Sequence, residues 1–324
     1  MTEEVRQALR ICPLGLRQAI DRLPDAGAME ELRLRCGQPP ACRIAGKERA
    51  LPLAPVTPEL LRGILEQATQ RSAYSMQEMT RCGFVTLPGG HRLGICGTAV
   101  VQNGTITALR EPSSLNLRIA RQPDGIADRL RDALWARPQS VLLCGAPGSG
   151  KTTLLRDLIR QLSDRFGWRI CVVDERLELA GAVHGVPQFD LGPHTDVLSG
   201  CPKAAGMQML LRGMNPEWLA VDEITSPADL AGIRQAFGCG VRILATIHTG
   251  SAAALREKPL CRAVLGAGMF EQVLFLDNNR AFHAERIRYA ETDRTEFDPH
   301  SLERDGPWPG QDRPAAAGAD AGVH

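Results

Sequence analysis

Residues 145 to 152 read Gly145-Ala146-Pro147-Gly148-Ser149-Gly150-Lys151-Thr152, which is the spacing G-x-x-x-x-G-K-S/T. Glycines let the backbone bend tightly and keep side chains away from an anion. A lysine at the seventh position sets a point charge against the outer phosphates of a nucleotide, and the threonine hydroxyl after it is a ligand for Mg²⁺. Thr153 joins the loop in the phosphate-contacting set. Ser140 to Cys144 is a short apolar run that reads as a buried strand. Leu154, Leu155, Leu158, Ile159 and Leu162 then recur at helical spacing. A strand, a glycine loop and a helix in that order bring backbone N–H groups and a helix N-terminus onto one anion.

Two further strand ends carry acids. Trp218-Leu219-Ala220-Val221 leads into Asp222-Glu223. Asp222 suits the Mg²⁺ beside Thr152, and Glu223 suits polarising the water that attacks a γ-phosphate. Val172-Val173 leads into Asp174-Glu175-Arg176, a second carboxylate pair expected near the same phosphate. Val241 to Ile247 reads as another strand, with Thr246 or His248 at its end placed to sense the γ-phosphate, because open sheets bind ligands at the carboxyl ends of their strands. Ser226-Pro227-Ala228-Asp229 reads as a helix cap. Lys203 reads as a surface charge, and Arg212 as a surface or interface charge.

The elements that would position these groups follow from pattern. The 324 residues suit two domains and a tail, and 44% apolar content supports a substantial core. From about 123 to 290, strands and helices alternate, as in a parallel sheet covered on both faces. It begins with a helix from Ile126 to Trp135 and closes with a strand from Ala281 to Ile287. Residues 1 to 122 read as a separate α+β domain. Thr57-Pro58-Glu59 starts one helix, Ser72 to Arg81 forms a second, and Asn103-Gly104 turns a hairpin. Residues 121 to 125 read as a linker. Residues 291 to 324, rich in Pro, Ala, Gly and Asp, read as a disordered tail.

Composition narrows the function classes. A net charge of +1 and only 4% aromatic residues weigh against a nucleic-acid platform. The ten cysteines are scattered with no C-x-x-C pair, as in reduced thiols of a cytosolic protein. No signal-peptide pattern and no bilayer-length apolar stretch is present, so a soluble protein is expected, one that can dock on a membrane partner.

Several longer strings resemble a known family, the stage III sporulation protein AA ATPases, relatives of hexameric type II and type IV secretion and pilus ATPases. They are Glu31-Leu32-Arg33-Leu34-Arg35, Gly89 to Gly97 (GGHRLGICG), Ser113 to Arg121 (SSLNLRIAR), the phosphate loop, Val173 to Arg176, Thr195 to Leu198, Gly200 to Lys203, Val221 to Ile224 and Leu244 to His248. The resemblance implies a RecA-like P-loop ATPase core with a mostly parallel sheet behind an α+β N-terminal domain. It also implies a cytoplasmic homo-oligomer, a hexamer, that hydrolyses Mg·ATP beneath a membrane-protein channel between mother cell and forespore. Family members tend to carry Arg where His194 stands and Ser where Leu177 stands. Arg118 and Arg121 are candidates to reach a neighbouring subunit's phosphates. The alternative is a nucleic-acid-dependent ATPase on the same core.

Overall fold

Alternation of apolar and polar residues builds the first of two sheets. In β1 (Met29–Arg35), Leu32 and Leu34 are buried while Glu31, Arg33 and Arg35 keep partial exposure on the other face. The computed structural model describes residues 1–70, 83–130, 138–249, 252–276 and 282–285. The other strands of this sheet are β2 (Ala41–Ile44), β3 (Lys47–Ala50), β4 (Phe84–Leu87), β5 (His91–Gln102) and β6 (Thr105–Arg118), in the order β3-β2-β1-β6-β5-β4. All its pairings are antiparallel. Helices α1 (Glu3–Ala8), α2 (Leu14–Asp21) and α3 (Pro58–Thr69) bury Val5, Leu16, Ile20, Leu61 and Ile64 against Leu32, Leu93 and Leu117. Burial of one such side chain contributes about 1.5–3 kcal/mol.

The local signals act as expected where they are strong. Thr57 caps α3 by accepting from the Leu60 amide at 3.2 Å, with Pro58 at the first helical position. Asn103 and Gly104, at φ 50° and 76°, close the β5–β6 hairpin. The chain on both sides of Pro112 forms one strand, β6, which absorbs a bulge opposite Gly97. Strands β1 to β3 and helices α1 and α2 had no counterpart in the pattern reading. The expected helix from Ser72 to Arg81 and the tail from 291 to 324 lie outside the described residues.

The second sheet contains β7 (Val141–Gly145), β8 (Ile170–Asp174), β9 (Thr195–Ser199), β10 (Trp218–Glu223), β11 (Arg242–His248), β12 (Gln272–Leu276) and β13 (Phe282–Glu285). Their order is β13-β12-β7-β11-β10-β8-β9, parallel except for the antiparallel β12–β13 edge. This is the mostly parallel α/β sheet anticipated. Helix α4 (Lys151–Phe166) packs Leu154, Leu155, Leu158 and Ile159 on Val141, Leu143, Ala220 and Leu244. The opposite strand faces, Leu142, Val221, Ala245 and Ile247 among them, meet α5 (Lys203–Gly213), α6 (Pro227–Gly238) and α8 (Pro259–Gly266); a short α7 (Ala252–Glu257) precedes α8. Burial on both faces is why these strands read as unbroken apolar runs. The short, half-exposed β9 lacked that signature. Of the helix expected from Ile126 to Trp135, Ile126–Leu130 forms a 3₁₀ turn and residues 131–137 lie outside the described set.

The long connection from β8 to β9 rests on the β4–β5 turn of the first sheet. Gln188 Oε1 accepts from the Gly89 amide at 2.9 Å. The Phe189 ring lies against Gly90 and stacks under the Arg156 guanidinium at 3.7 Å. Gly90 has φ 75°, and a Cβ there would stand 2.4 Å from Phe189 Cζ. Gly90→Ala therefore combines backbone strain with a clash. It should lower unfolding free energy by about 1–3 kcal/mol in urea titration, and an unchanged midpoint would contradict this packing.

Candidate active site

The glycines at 145, 148 and 150 are required for different reasons. Gly148 and Gly150 hold φ 77° and 96° with nothing within 4 Å of a Cβ, so backbone conformation alone selects glycine. Gly145 is selected by crowding, since a Cβ would sit 2.6 Å from Ser149 Oγ and 2.8 Å from the Leu276 carbonyl. No side chain caps the first turn of α4, which leaves its leading N–H groups without helical acceptors. Pro147 and Gly148 are exposed at the loop's crest, Ala146 and Gly150 are half-buried, and Ser149 Oγ is buried without a partner. Thr153 is half-buried in the first turn of α4.

Lys151 lies buried inside this loop. Its Nζ donates to the Gly145 carbonyl at 2.9 Å and the Ala146 carbonyl at 2.8 Å, and it meets His248 Nδ1 at 2.9 Å. His248 Nε2 stands 3.0 Å from Glu223 Oε2. One tautomer satisfies both contacts: Nδ1 accepts from the ammonium and Nε2–H donates to the carboxylate. The Thr152 hydroxyl donates to Asp222 Oδ1 at 3.3 Å. Lysine and threonine from α4, both acids from β10 and the histidine from β11 are thus gathered at one mouth. Burial lowers the pKa of Lys151, opposed by the charges of Glu223 and Asp222.

The model of the family described as "Sporulation stage III, protein AA" matches residues 2–293. The chain belongs to this family. It is 34% identical over 279 residues to the stage III sporulation protein AA of Bacillus subtilis (strain 168), covering 84% of this chain and 91% of that one. Among solved structures, the Legionella pneumophila ATPase DotB matches with TM-score 0.56 at 14% identity, over 85% of this chain and 80% of that chain. The pilus retraction motor PilT with bound ADP matches with TM-score 0.56 at 18% identity, over 85% and 82%. These likenesses establish the RecA-like fold of secretion ATPases for this family member.

The donor set fits the group that the family resemblance implies. Thr152 and Asp222 offer a hydroxyl and a carboxylate, the sparse protein ligation that suits an Mg²⁺ shared with phosphates and water. Among the described residues no cluster of three or more His, Cys, Asp or Glu side chains is built to hold a metal unaided. The unpartnered Ser149 hydroxyl and the uncapped start of α4 supply donors for phosphate oxygens.

The expected second carboxylate pair behaves differently. Asp174 is fully buried, and its two oxygens accept the amides of Glu178 (2.8 Å), Leu179 (3.1 Å) and Ala180 (2.8 Å). Desolvation raises its pKa against those bonds. The side chain pins the following loop to its strand, and its acceptor capacity is spent there. Glu175 turns to Lys203 in a close ion pair, with Asp229 Oδ2 3.7 Å from the same ammonium. Lys203 was expected at the surface and is 4% exposed; its preceding Pro202 gave no hint of a buried acid partner. Arg121 is likewise committed, donating to the Gly27 and Met29 carbonyls, both at 2.8 Å. Arg118 keeps 62% exposure, with Glu31 at 3.8 Å.

Sequence reasoning missed Arg156 and Arg176. Arg156 is buried on α4, donates to the Leu179 and Glu178 carbonyls at 2.8 and 2.7 Å, and has its pKa lowered to about 10 by desolvation. It stands one residue from Leu155 and two from Leu154 and Leu158, spacings that do not share a helix face, so the leucine pattern gave no signal of its burial. Arg176 Nη1 lies 3.5 Å from Glu223 Oε2.

Burial, then the charges of Glu178 and Asp174, raises the pKa of Asp222 to about 7. A raised carboxyl favours the neutral form in the folded state, so its stabilisation is complete below the ordinary value of 3.8 and is lost as pH rises through about 7. In buffer without nucleotide or divalent ion, this carboxyl should make the thermal midpoint fall between about pH 4 and 7 and level off above that. Asp222→Asn, which cannot ionise, should flatten that decline; an equally steep decline in the variant would contradict the assignment.

Proposed function

We propose that this chain hydrolyses ATP with magnesium at residues 145 to 153 and uses the energy as a motor of the secretion-ATPase type. The observation that carries the reading is the continuous contact from Lys151 through His248 to Glu223 at the mouth of an uncapped glycine loop. Gly145, Ala146, Pro147, Gly148, Ser149, Gly150 and Thr153 shape the cradle, and Lys151 sets its charge against the outer phosphates. Thr152 and Asp222 hold the metal. When bound, magnesium would neutralise charge that develops on the phosphate oxygens.

Glu223 orients a water and takes its proton as the water oxygen bonds to the γ-phosphorus. The bond from that phosphorus to the β–γ bridging oxygen breaks, and ADP and inorganic phosphate are the products. His248 holds the Glu223 carboxylate through Nε2–H and so fixes the direction from which it can act. Asp174 and Glu175 serve this chemistry at one remove, by fixing the loop that borders Glu223.

The family membership supports a role in sporulation, and the resemblance supports a cytoplasmic ring of identical subunits docked on a membrane-protein channel. Of Arg118 and Arg121, Arg118 keeps the exposed side chain, and it is the one we assign to a neighbouring copy's phosphates. No helix among the described residues is long and apolar enough to cross a membrane.

Glu223→Gln keeps size and hydrogen bonding while removing the base. Steady-state phosphate release should fall about 10²–10⁴-fold with nucleotide affinity retained; a parent-like rate would refute the catalytic role. In a fluorescent-ATP titration, Lys151→Ala should weaken binding at least tenfold, about 1.4 kcal/mol. Unchanged affinity would refute the loop assignment.

A further inference from the structure

The loop after β8 carries an arginine to the candidate catalytic acid and is itself held by an arginine of the first sheet. Arg176 Nη1 lies 3.5 Å from Glu223 Oε2, on the carboxylate oxygen that His248 also contacts. From β5, Arg92 donates to the Arg176 backbone carbonyl and pairs with Glu178 Oε1 at 2.8 Å. The side chain of Arg92 is 16% exposed, while that of Arg176 is 57% exposed. The anchored residue is therefore the one in the first sheet, and the movable one stands at Glu223.

Resting on the reaction proposed above, we propose that Arg176 is a positioning residue for Glu223 and that Arg92, reaching from the first sheet, sets where Arg176 stands. The loop is over-determined in a way that suits this task. Asp174 grips the amides of Glu178, Leu179 and Ala180, Arg156 grips the carbonyls of Glu178 and Leu179, and Arg92 grips the Arg176 carbonyl that precedes them. Leu177, buried next to Arg176, is held at φ 56°, a strained conformation for a residue with a branched side chain. Such strain persists only where surrounding contacts enforce it. Releasing Arg92 removes one of those contacts, and the backbone at 176 and 177 is then free to relax away from Glu223. Position of the first sheet and activity of the acid are coupled through Arg92.

The test compares Arg176→Gln, Arg176→Lys, Arg92→Gln and the double variant Arg92→Gln/Arg176→Gln in the full chain, each first shown to melt cooperatively. Both Gln variants should lose about 10- to 100-fold in kcat, the scale of a misplaced catalytic group, while KM for ATP stays within about twofold. Arg176→Lys should recover part of the rate. The double variant should be no slower than Arg176→Gln, because both changes act on the same link. Hydrogen exchange of segment 174–180 should be faster in Arg92→Gln than in the parent. If Arg92→Gln does not fold, Glu178→Gln cuts the same pair from the loop side.

A parent-like kcat in Arg176→Gln, losses confined to KM, or losses that multiply in the double variant would overturn the proposal. A parent that hydrolyses no ATP would instead sink the reaction proposed above. The exchange measurement would then decide the Arg92 link alone, and unchanged exchange would end it.

Discussion

The strand order of the second sheet is the constraint on which the site depends. Because β11 lies between β7 and β10, the loop lysine and the acidic strand end are not neighbours in the sheet. Something from β11 must span them, and His248 does so with both ring nitrogens. Parallel strands end on the same edge, so the glycine loop, the two acids and the histidine all emerge on one side. A different insertion would separate the same residues without changing any local motif.

A second group of charges stabilises the frame rather than the chemistry. Leaving a buried polar group unpaired costs about 1–3 kcal/mol, and an unpaired charge costs more. Asp174, Arg156 and Lys203 avoid that cost by different means: three amides, two carbonyls with an aromatic face, and two carboxylates. All three converge on the connection from β8 to β9. A chain segment without a strand or long helix is thereby tied to the sheet it leaves, and it also touches the first sheet.

That the glycine loop, both acids at the end of β10 and the histidine of β11 meet at one edge of the sheet was legible because each signal is local: a fixed spacing, or polar residues ending an apolar run. The caps at Thr57 and Ser226 were legible for the same reason. Asp174 and Glu175 were misjudged because position at a strand end is a local fact, whereas what meets a carboxylate is not. The amides that absorb Asp174 come from four to six residues on, in a loop with no pattern. Lys203 was misjudged likewise, its partner standing 28 residues away. The alternation from Glu31 to Arg35 marks β1 as a half-buried strand and went unread, whereas β3 is exposed along its whole length and carries no apolar alternation to read.

Lys151 shows how these layers meet. An ammonium has three donors, and here three acceptors are in reach: two loop carbonyls and the imidazole. Any anion that engages this lysine must displace at least one of them. Displacing His248 Nδ1 removes the contact that selects its tautomer, and with it one of the two groups that orient Glu223. A phosphate oxygen adds the attraction of an opposite charge that a neutral acceptor lacks, so exchange of a neutral acceptor for it is favourable. Arg176 is then the contact to Glu223 that does not depend on the lysine, and the first sheet fixes its position through Arg92.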